Sequence, residues 1–429
     1  MIYINTLPLS LWFFFYSTWW LYLFVIYSIF HLSFEMFPTL TPGQRQRFFV
    51  ILIPCHNEEL VIENTIESLM TLDYPPENYL ILVIDDASQD RTGVIVQGLT
   101  GRYPNLQLLQ RSPEQGGKGK SEALNAGYRH LLASDLLSAH EDYVVGVCDA
   151  DGRLDANMLW SAEALFAQEN VGACQSGVRV RGREESFALR LQDMEFCLYS
   201  YITQSIRSRC LGNASLGGNG QFISKEALAS VKYTHEGRDY WWDPDALTED
   251  LEIGLRIIMK EYRVLAIPHS FVHQQGLTHM KKLIFRQRTR WAWGTLQVAS
   301  SYLLNPKFYL SSKLSLVQKF DWFILLTLWG ISVTLPLVWL LTILHIIGLI
   351  SVGTPIQLLG ALFVGFAWVP LIIFGLLEIK EYRRWRTVLW ALGFYWYLMH
   401  GIIIYYYALL KLLILTPTWD KTERSVELE

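Results

Sequence analysis

Phe48-Phe49-Val50-Ile51-Leu52-Ile53-Pro54-Cys55-His56-Asn57-Glu58 is the stretch on which the fold turns. It is a short β-rich run that ends at Pro54 and opens into a polar cluster. The pattern repeats outward. Residues 80–84 form a second such run, ending at Asp85-Asp86, and residues 106–109 and 143–147 follow suit, the last ending before Asp149-Ala150-Asp151. Between them lie helical stretches at 60–72, 92–99 and 121–132. Strands alternating with helices imply an α/β domain with a mostly parallel sheet and helices on both faces. Ligands of such sheets bind beyond the carboxyl ends of the strands, where these polar clusters sit.

Each cluster has a plain reading as well. Asn57 and Glu58 could cap the next helix. Asp85-Asp86-Ala87-Ser88 could be a turn and a cap. Asp-x-Asp is frequent by chance. Gly116-Gly117-Lys118-Gly119-Lys120 lacks the Walker spacing and could be only a flexible loop. The order of the clusters and two downstream features change the balance. Thr248-Glu249-Asp250 precedes a helical stretch; Asp250 is either a catalytic carboxylate or a charge complementing a helix dipole. In Gln287-Arg288-Thr289-Arg290-Trp291, helical spacing puts Gln287, Arg290 and Trp291 on one face. An amide, a planar cation suited to a diphosphate and an aromatic plate suited to a sugar then sit together. Trp291 could instead be an interfacial membrane anchor.

The chain of 429 residues is 51% hydrophobic. Residues 1–34 carry no Asp, Glu, Lys or Arg, and 9–32 are almost wholly apolar, more than the roughly 20 residues that cross a bilayer. The charge-free region 322–377 divides at Ser351-Val352-Gly353-Thr354-Pro355 into spans at about 322–350 and 356–377, with a kink expected at Pro336, and 387–410 makes a further span. The resulting division is a transmembrane helix and linker (1–41), a soluble domain (42–275), an amphipathic membrane-interface region (276–320), three transmembrane helices (321–415) and a charged tail (416–429). Arg45, Arg47 and the basic cluster Lys380, Arg383, Arg384 and Arg386 place the soluble domain in the cytoplasm and the N-terminus outside. A net charge of −4 gives no sign of nucleic-acid binding, and five scattered cysteines suit a reducing compartment. The sequon Asn213-Ala214-Ser215 is expected to be idle.

The ordered set resembles the membrane-embedded family 2 glycosyltransferases: cellulose, hyaluronan and poly-N-acetylglucosamine synthases and related lipid glycosyltransferases. The resemblance covers roughly 48–300. It implies a GT-A-type, Rossmann-like domain inserted between transmembrane helices of a bacterial inner membrane. It also implies a nucleotide-sugar donor, Mg²⁺ or Mn²⁺, and inversion at the anomeric carbon. By this resemblance Asn57, Glu58, Asp85 and Asp86 would hold the nucleoside and Lys120 would touch the donor. Asp149 and Asp151 would carry the metal and contact the donor, and Asp250 would be the base. Gln287 and Arg290 would close over the diphosphate. Trp291, Glu249, Gly218 and Asn219 would face the acceptor. Ala87 departs from the usual glycine after the second Asp, and fewer spans are evident than in most polymer synthases. The sequence favours a growing β-linked polysaccharide as acceptor, with single addition to diacylglycerol or a polyprenyl phosphate as the alternative. A silent receptor built on the same fold ranks below both.

Overall fold

The computed structural model describes residues 2–4, 46–352 apart from 280, 282 and 311–313, then 372–373, 376 and 387–414. The expected helix at 9–32, Arg45, most of the span at 356–377, the basic cluster at 380–386 and the tail 416–429 lie outside the described residues.

In chain order the first strands are β1 Ile2–Ile4, β2 Phe48–Cys55, β3 Tyr79–Asp85, β4 Leu106–Gln110, β5 Tyr143–Val147 and β6 Arg153–Leu154. They are followed by β7 Val171–Arg181, β8 Gln221–Ser224, β9 Tyr233–His235, β10 Arg238–Tyr240, β11 Arg263–Gln275 and β12 Ile350–Val352. Eight of them form one sheet in the order β4-β3-β2-β5-β8-β7-β11-β6. The half from β4 to β5 is parallel throughout, as expected. The other half is mixed. β8 runs antiparallel to β5 and β7, β7 and β11 are parallel, and β6 closes the edge antiparallel to β11.

The unbroken apolar run of β2 follows from its position. Phe49, Ile51 and Ile53 pack on one face with Ile62, Ile66 and Leu69 of the helix Ile62–Leu69. Val50 and Leu52 pack on the other with Leu124, Tyr128 and Leu131 of Lys120–Ala133. A strand covered on both faces has no reason to alternate, and each buried side chain stabilises by about 1.5–3 kcal/mol.

The charged stretch after β7 is the helix Phe187–Leu198, capped by the Ser186 hydroxyl, which accepts from Leu189 N–H. It continues through a π-helical segment, Tyr199–Gln204, into Ser205–Leu211 and stops at Gly212, whose φ of 59° is the usual left-handed ending. Asn213 follows and is fully buried; its amide donates to Asp321 Oδ2 at 2.6 Å. A glycan on that sequon has no room.

The expected span at about 322–350 is divided between two helices. Leu316–Thr327 is a separate helix with a Ser315/Gln318 capping box. It packs on the sheet domain: Trp322 is fully buried and donates from Nε1 to Asn213 Oδ1 at 2.6 Å, while Arg207 Nε donates to Asp321 Oδ2 at 2.8 Å. Among the described residues, Trp329–Ile346, which contains Pro336, and Thr387–Ile414 are long and apolar enough to cross a membrane, and most of each lies outside the packed interior. The expected amphipathic segment is a π-helical turn, Leu283–Arg288, running into Thr289–Leu303. Its Ala292, Trp293 and Leu296 are buried in one apolar cluster with Ile404 and Ala408 of the helix His400–Ile414.

β1 pairs in parallel with β12, Ile2 opposite Ile350. β12 follows the far end of Trp329–Ile346, a helix about 27 Å long at 1.5 Å per residue. Residues 2–4 therefore lie a helix length from the end at Trp329.

Candidate active site

One cavity of about 770 Å³ opens where the parallel half of the sheet ends. Its walls come from the strand-end loops (His56, Glu58, Asp86, Lys120, Asp149, Asp151), from the start of the helix Glu249–Met259 (Glu249, Asp250) and from the Gln287–Trp291 stretch. They continue without a break along the apolar helices, through Trp329, Ile331, Leu335, Met399, Ile402 and Tyr405.

Most of the expected residues meet here. Asp86 ends the β3 turn and forms an ion pair with Arg111, from the loop after β4, while accepting Gly117 N–H at 3.0 Å. Burial raises its pKa, against the opposing pull of Arg111 and that N–H. Arg111 escaped the sequence reading, although Gln110-Arg111-Ser112 stands at a strand end like the other clusters. Lys120 begins its helix directly after Gly119, whose φ is 108°. Its Nζ is 2.5 Å from Asp149 Oδ1 and 3.7 Å from Glu249 Oε1. Burial works against the Lys120 charge, but Asp149 and Glu249 outweigh it and raise the pKa.

Asp250 shares this cluster. Its Oδ1 accepts Leu251 N–H at 2.7 Å, and its pKa is pushed up to about 7, first by burial and then by repulsion from Glu249, with Lys120 opposing. Gly218 sits against it: a Cβ there would lie 2.8 Å from Asp250 Oδ2 and 3.1 Å from Lys120 Nζ, and φ is +76°. The helix Glu249–Met259 has no side-chain cap at Thr248. Asn125, in the Lys120-Ser121-Glu122-Ala123-Leu124-Asn125 run, is fully buried. Its Oδ1 accepts Trp241 and Trp242 N–H at 2.9 and 3.2 Å, and Nδ2 donates to Trp242 O at 2.7 Å. That fixes the segment leading to Asp250.

Two expected contacts, Asn57 and Asp85, are placed differently, while Asn219 lines the cavity. Asn57, at φ 53°, accepts Gln89 N–H with Oδ1 at 2.7 Å, and Asp85 Oδ1 accepts Ser88 N–H at 3.0 Å. Both lash the loop 86–89 to its neighbours, and neither lines the cavity, whereas Glu58 and Asp86 do. Asn219 is buried; its Oδ1 accepts Asp149 N–H at 3.0 Å and its Nδ2 donates to Gln274 Oε1 at 3.1 Å, so it positions Asp149.

Gln287, Arg290 and Trp291 all line the cavity, although Gln287 belongs to the π-helical turn and the other two to the α-helix after it. Trp291 is half-buried, edge-on to Phe196 at 6.1 Å, with the Arg288 guanidinium 4.4 Å from its ring centre.

Asp149 and Asp151 form a sparse donor set for a cation. Lys120 holds one Asp149 oxygen, Gln275 N–H donates to Asp151 Oδ2 at 3.1 Å, and Asp151 is 2% exposed. No group of three or more His, Cys, Asp or Glu among the described residues is placed to hold an ion. Two carboxylates do not make a cage, but they fit a hard cation that also takes oxygens from substrate phosphates.

Comparison with known proteins agrees with this fold. The beta-monoglucosyldiacylglycerol synthase of Synechocystis sp. is 31% identical over 247 residues, which are 58% of this chain and 47% of that protein. A poly-beta-1,6-N-acetyl-D-glucosamine synthase of Staphylococcus epidermidis is 26% identical over 254 residues, 58% of this chain and 54% of that one. The chain thus spans about half the length of the curated relatives it matches. A mannosyltransferase from Pyrobaculum calidifontis, solved with GDP-Man and Mn²⁺, superposes with a TM-score of 0.58 at 18% identity over 95% of this chain and 98% of that one, and shares the GT-A-type fold. The family model described as "Glycosyltransferase like family 2" matches residues 46–294, from just before the first strand of the main sheet to the helix that carries Trp291, and the chain belongs to that family.

Proposed function

We propose that this protein is an inverting glycosyltransferase that moves a sugar from a nucleotide-sugar, a UDP-sugar in the first instance, to a hydroxyl of a membrane lipid. The observation that carries this reading is the continuity of the cavity: its carboxylate end passes directly into a wall of apolar side chains from Trp329–Ile346 and His400–Ile414. A lipid acceptor can reach the donor from that side.

Asp86 and Glu58 would face the nucleoside, and Gln287 and Arg290 the diphosphate. Asp149 and Asp151 would hold Mg²⁺ or Mn²⁺ together with the diphosphate, which when bound neutralises the leaving group. Asp250 takes the proton of the acceptor hydroxyl as its oxygen bonds to the anomeric carbon. The carbon–phosphate-oxygen bond breaks on the opposite face, its electron pair leaves with the nucleoside diphosphate, and the centre inverts. Trp291 would offer its ring to the sugar or the acceptor head.

A growing polymer is the second reading, supported by the similarity to poly-beta-1,6-N-acetyl-D-glucosamine synthases. The two apolar helices support membrane placement, and the β1–β12 pairing, a helix length from the Trp329 end, supports an N-terminus on the opposite side from the catalytic domain. The test is release of nucleoside diphosphate by purified protein given a panel of nucleotide-sugars, with and without lipid. Release that depends on lipid and stops in EDTA is expected. Release unchanged by lipid would rule out the lipid acceptor.

A further inference from the structure

Where the cavity passes from its carboxylate end to its apolar wall, four polar side chains from four elements meet, of which Glu195, Arg288 and His400 line it. Glu195 comes from Phe187–Leu198, Arg288 from the π-helical turn, Tyr397 from Thr387–Leu398 and His400 from the start of the last helix. Arg288 Nη2 lies 2.8 Å from Glu195 Oε2, and the Tyr397 hydroxyl donates to that same oxygen at 2.9 Å. The Arg288 guanidinium is also flanked by Phe196, 5.1 Å from its ring centre, and Trp291. The Tyr397 carbonyl oxygen bonds His400 Nδ1. A carbonyl only accepts, so Nδ1 carries the proton, and Nε2 is the acceptor of the corresponding neutral tautomer.

Among the described residues lining the cavity the cations are Lys120, Arg288 and Arg290. Lys120 is held by Asp149, and the function proposed above assigns Arg290 to the donor diphosphate. Arg288 is the remaining positive charge near the apolar wall, and Glu195 cancels it. A phosphate arriving from the lipid side would meet a compensated cation, a carboxylate and an imidazole acceptor. An uncharged hydroxyl would meet acceptors it can donate to.

We infer that Glu195, with Tyr397 and His400, makes this site select lipids bearing an uncharged hydroxyl and reject lipids bearing a phosphate at the reacting end. This rests on the lipid-acceptor reading and narrows it. Glu195 acts through Arg288: its carboxylate offsets the guanidinium's charge and holds it in place. Its removal should do more than weaken the site; it should change what the site prefers.

The experiment uses the purified full chain in phosphatidylcholine vesicles with dioleoylglycerol as acceptor, a polyprenyl phosphate as the alternative acceptor and dioleoyl phosphatidate as competitor. Wild type should turn over on dioleoylglycerol, fail on the polyprenyl phosphate and ignore equimolar phosphatidate. Glu195→Gln keeps an oxygen for Tyr397 but uncovers Arg288. In it, phosphatidate should become a competitive inhibitor and raise the apparent KM for dioleoylglycerol by about tenfold or more. The double variant Glu195→Gln/Arg288→Met should lose that inhibition. Equal wild-type turnover on the two acceptors, or equal phosphatidate inhibition of wild type and Glu195→Gln, overturns the selection while leaving the lipid-acceptor function standing. The wild-type arm decides the matter even if the variants do not fold. No turnover on any lipid overturns the function itself and this inference with it.

Discussion

In the proposed mechanism, Asp250 owes its fitness as a base to two neighbours of opposite effect. Burial and Glu249 lift its pKa to about 7, and Lys120 keeps it from rising further. Transfer needs the carboxylate form, so kcat/KM should climb as pH rises toward 7, about tenfold per unit below that pKa, and level above it. Asp250→Asn should lower transfer by about 10²–10⁴-fold while nucleotide affinity is retained; a variant with wild-type turnover would remove Asp250 from the mechanism. Ala87 shows a different legibility. The sequence marked it as a departure from glycine, and the structure gives the consequence: φ is 61°, a conformation costing an alanine about 1–2 kcal/mol. Ala87→Gly should therefore stabilise the fold by a net of up to about 1 kcal/mol once the looser unfolded chain is counted, seen as a higher melting temperature. A lower melting temperature would show that the loop does not strain this residue. Asp149, Asp151 and Asp250 were readable because chemistry fixes their type and order. Arg111, Asn125 and Glu195 were not, since what matters about each is a partner far away in sequence: Asp86, the Trp241-Trp242 backbone and Arg288.

At the scale of elements, period and composition told most of the story. β2 could be read from its unbroken apolar run, and Lys120–Ala133 from a helical stretch placed within one residue at each end. The antiparallel insertion of β8 could not, because strand direction depends on how the preceding helical excursion from Phe187 to Leu211 returns to the sheet. Leu316–Thr327 was absorbed into an expected span because Trp322 and its followers carry no charge; the side chains instead pack on the catalytic domain, held by the Arg207–Asp321 pair. Arg207 is fully buried and Asp321 nearly so, so removing one partner strands a charge. Asp321→Leu alone should cost about 3–5 kcal/mol, seen as a lower melting temperature of the detergent-purified protein, and Arg207→Met/Asp321→Leu should recover most of it. A single variant as stable as wild type would mean that this helix is not anchored through the pair.

For the whole molecule, the proposed topology has the catalytic domain on one side of a membrane and the β1–β12 pair on the other. Leu349→Cys, beside β12, should react with a membrane-impermeant maleimide in intact cells, and Glu114→Cys, in an exposed loop of the catalytic domain, only after lysis; the reverse would invert the topology. The sequence placed a growing polymer first and a lipid second. The apolar wall of the cavity, a feature of packed helices that no motif encodes, is the ground on which we propose the lipid first. The direct test is the size of the product. Membranes containing the protein are incubated with labelled nucleotide-sugar, extracted with organic solvent, and both phases are analysed by mass spectrometry and gel. The account predicts label in the organic phase on a lipid carrying one or two sugars, absent with Asp250→Asn. Label confined to a high-mass polymer, with an empty organic phase, would contradict it.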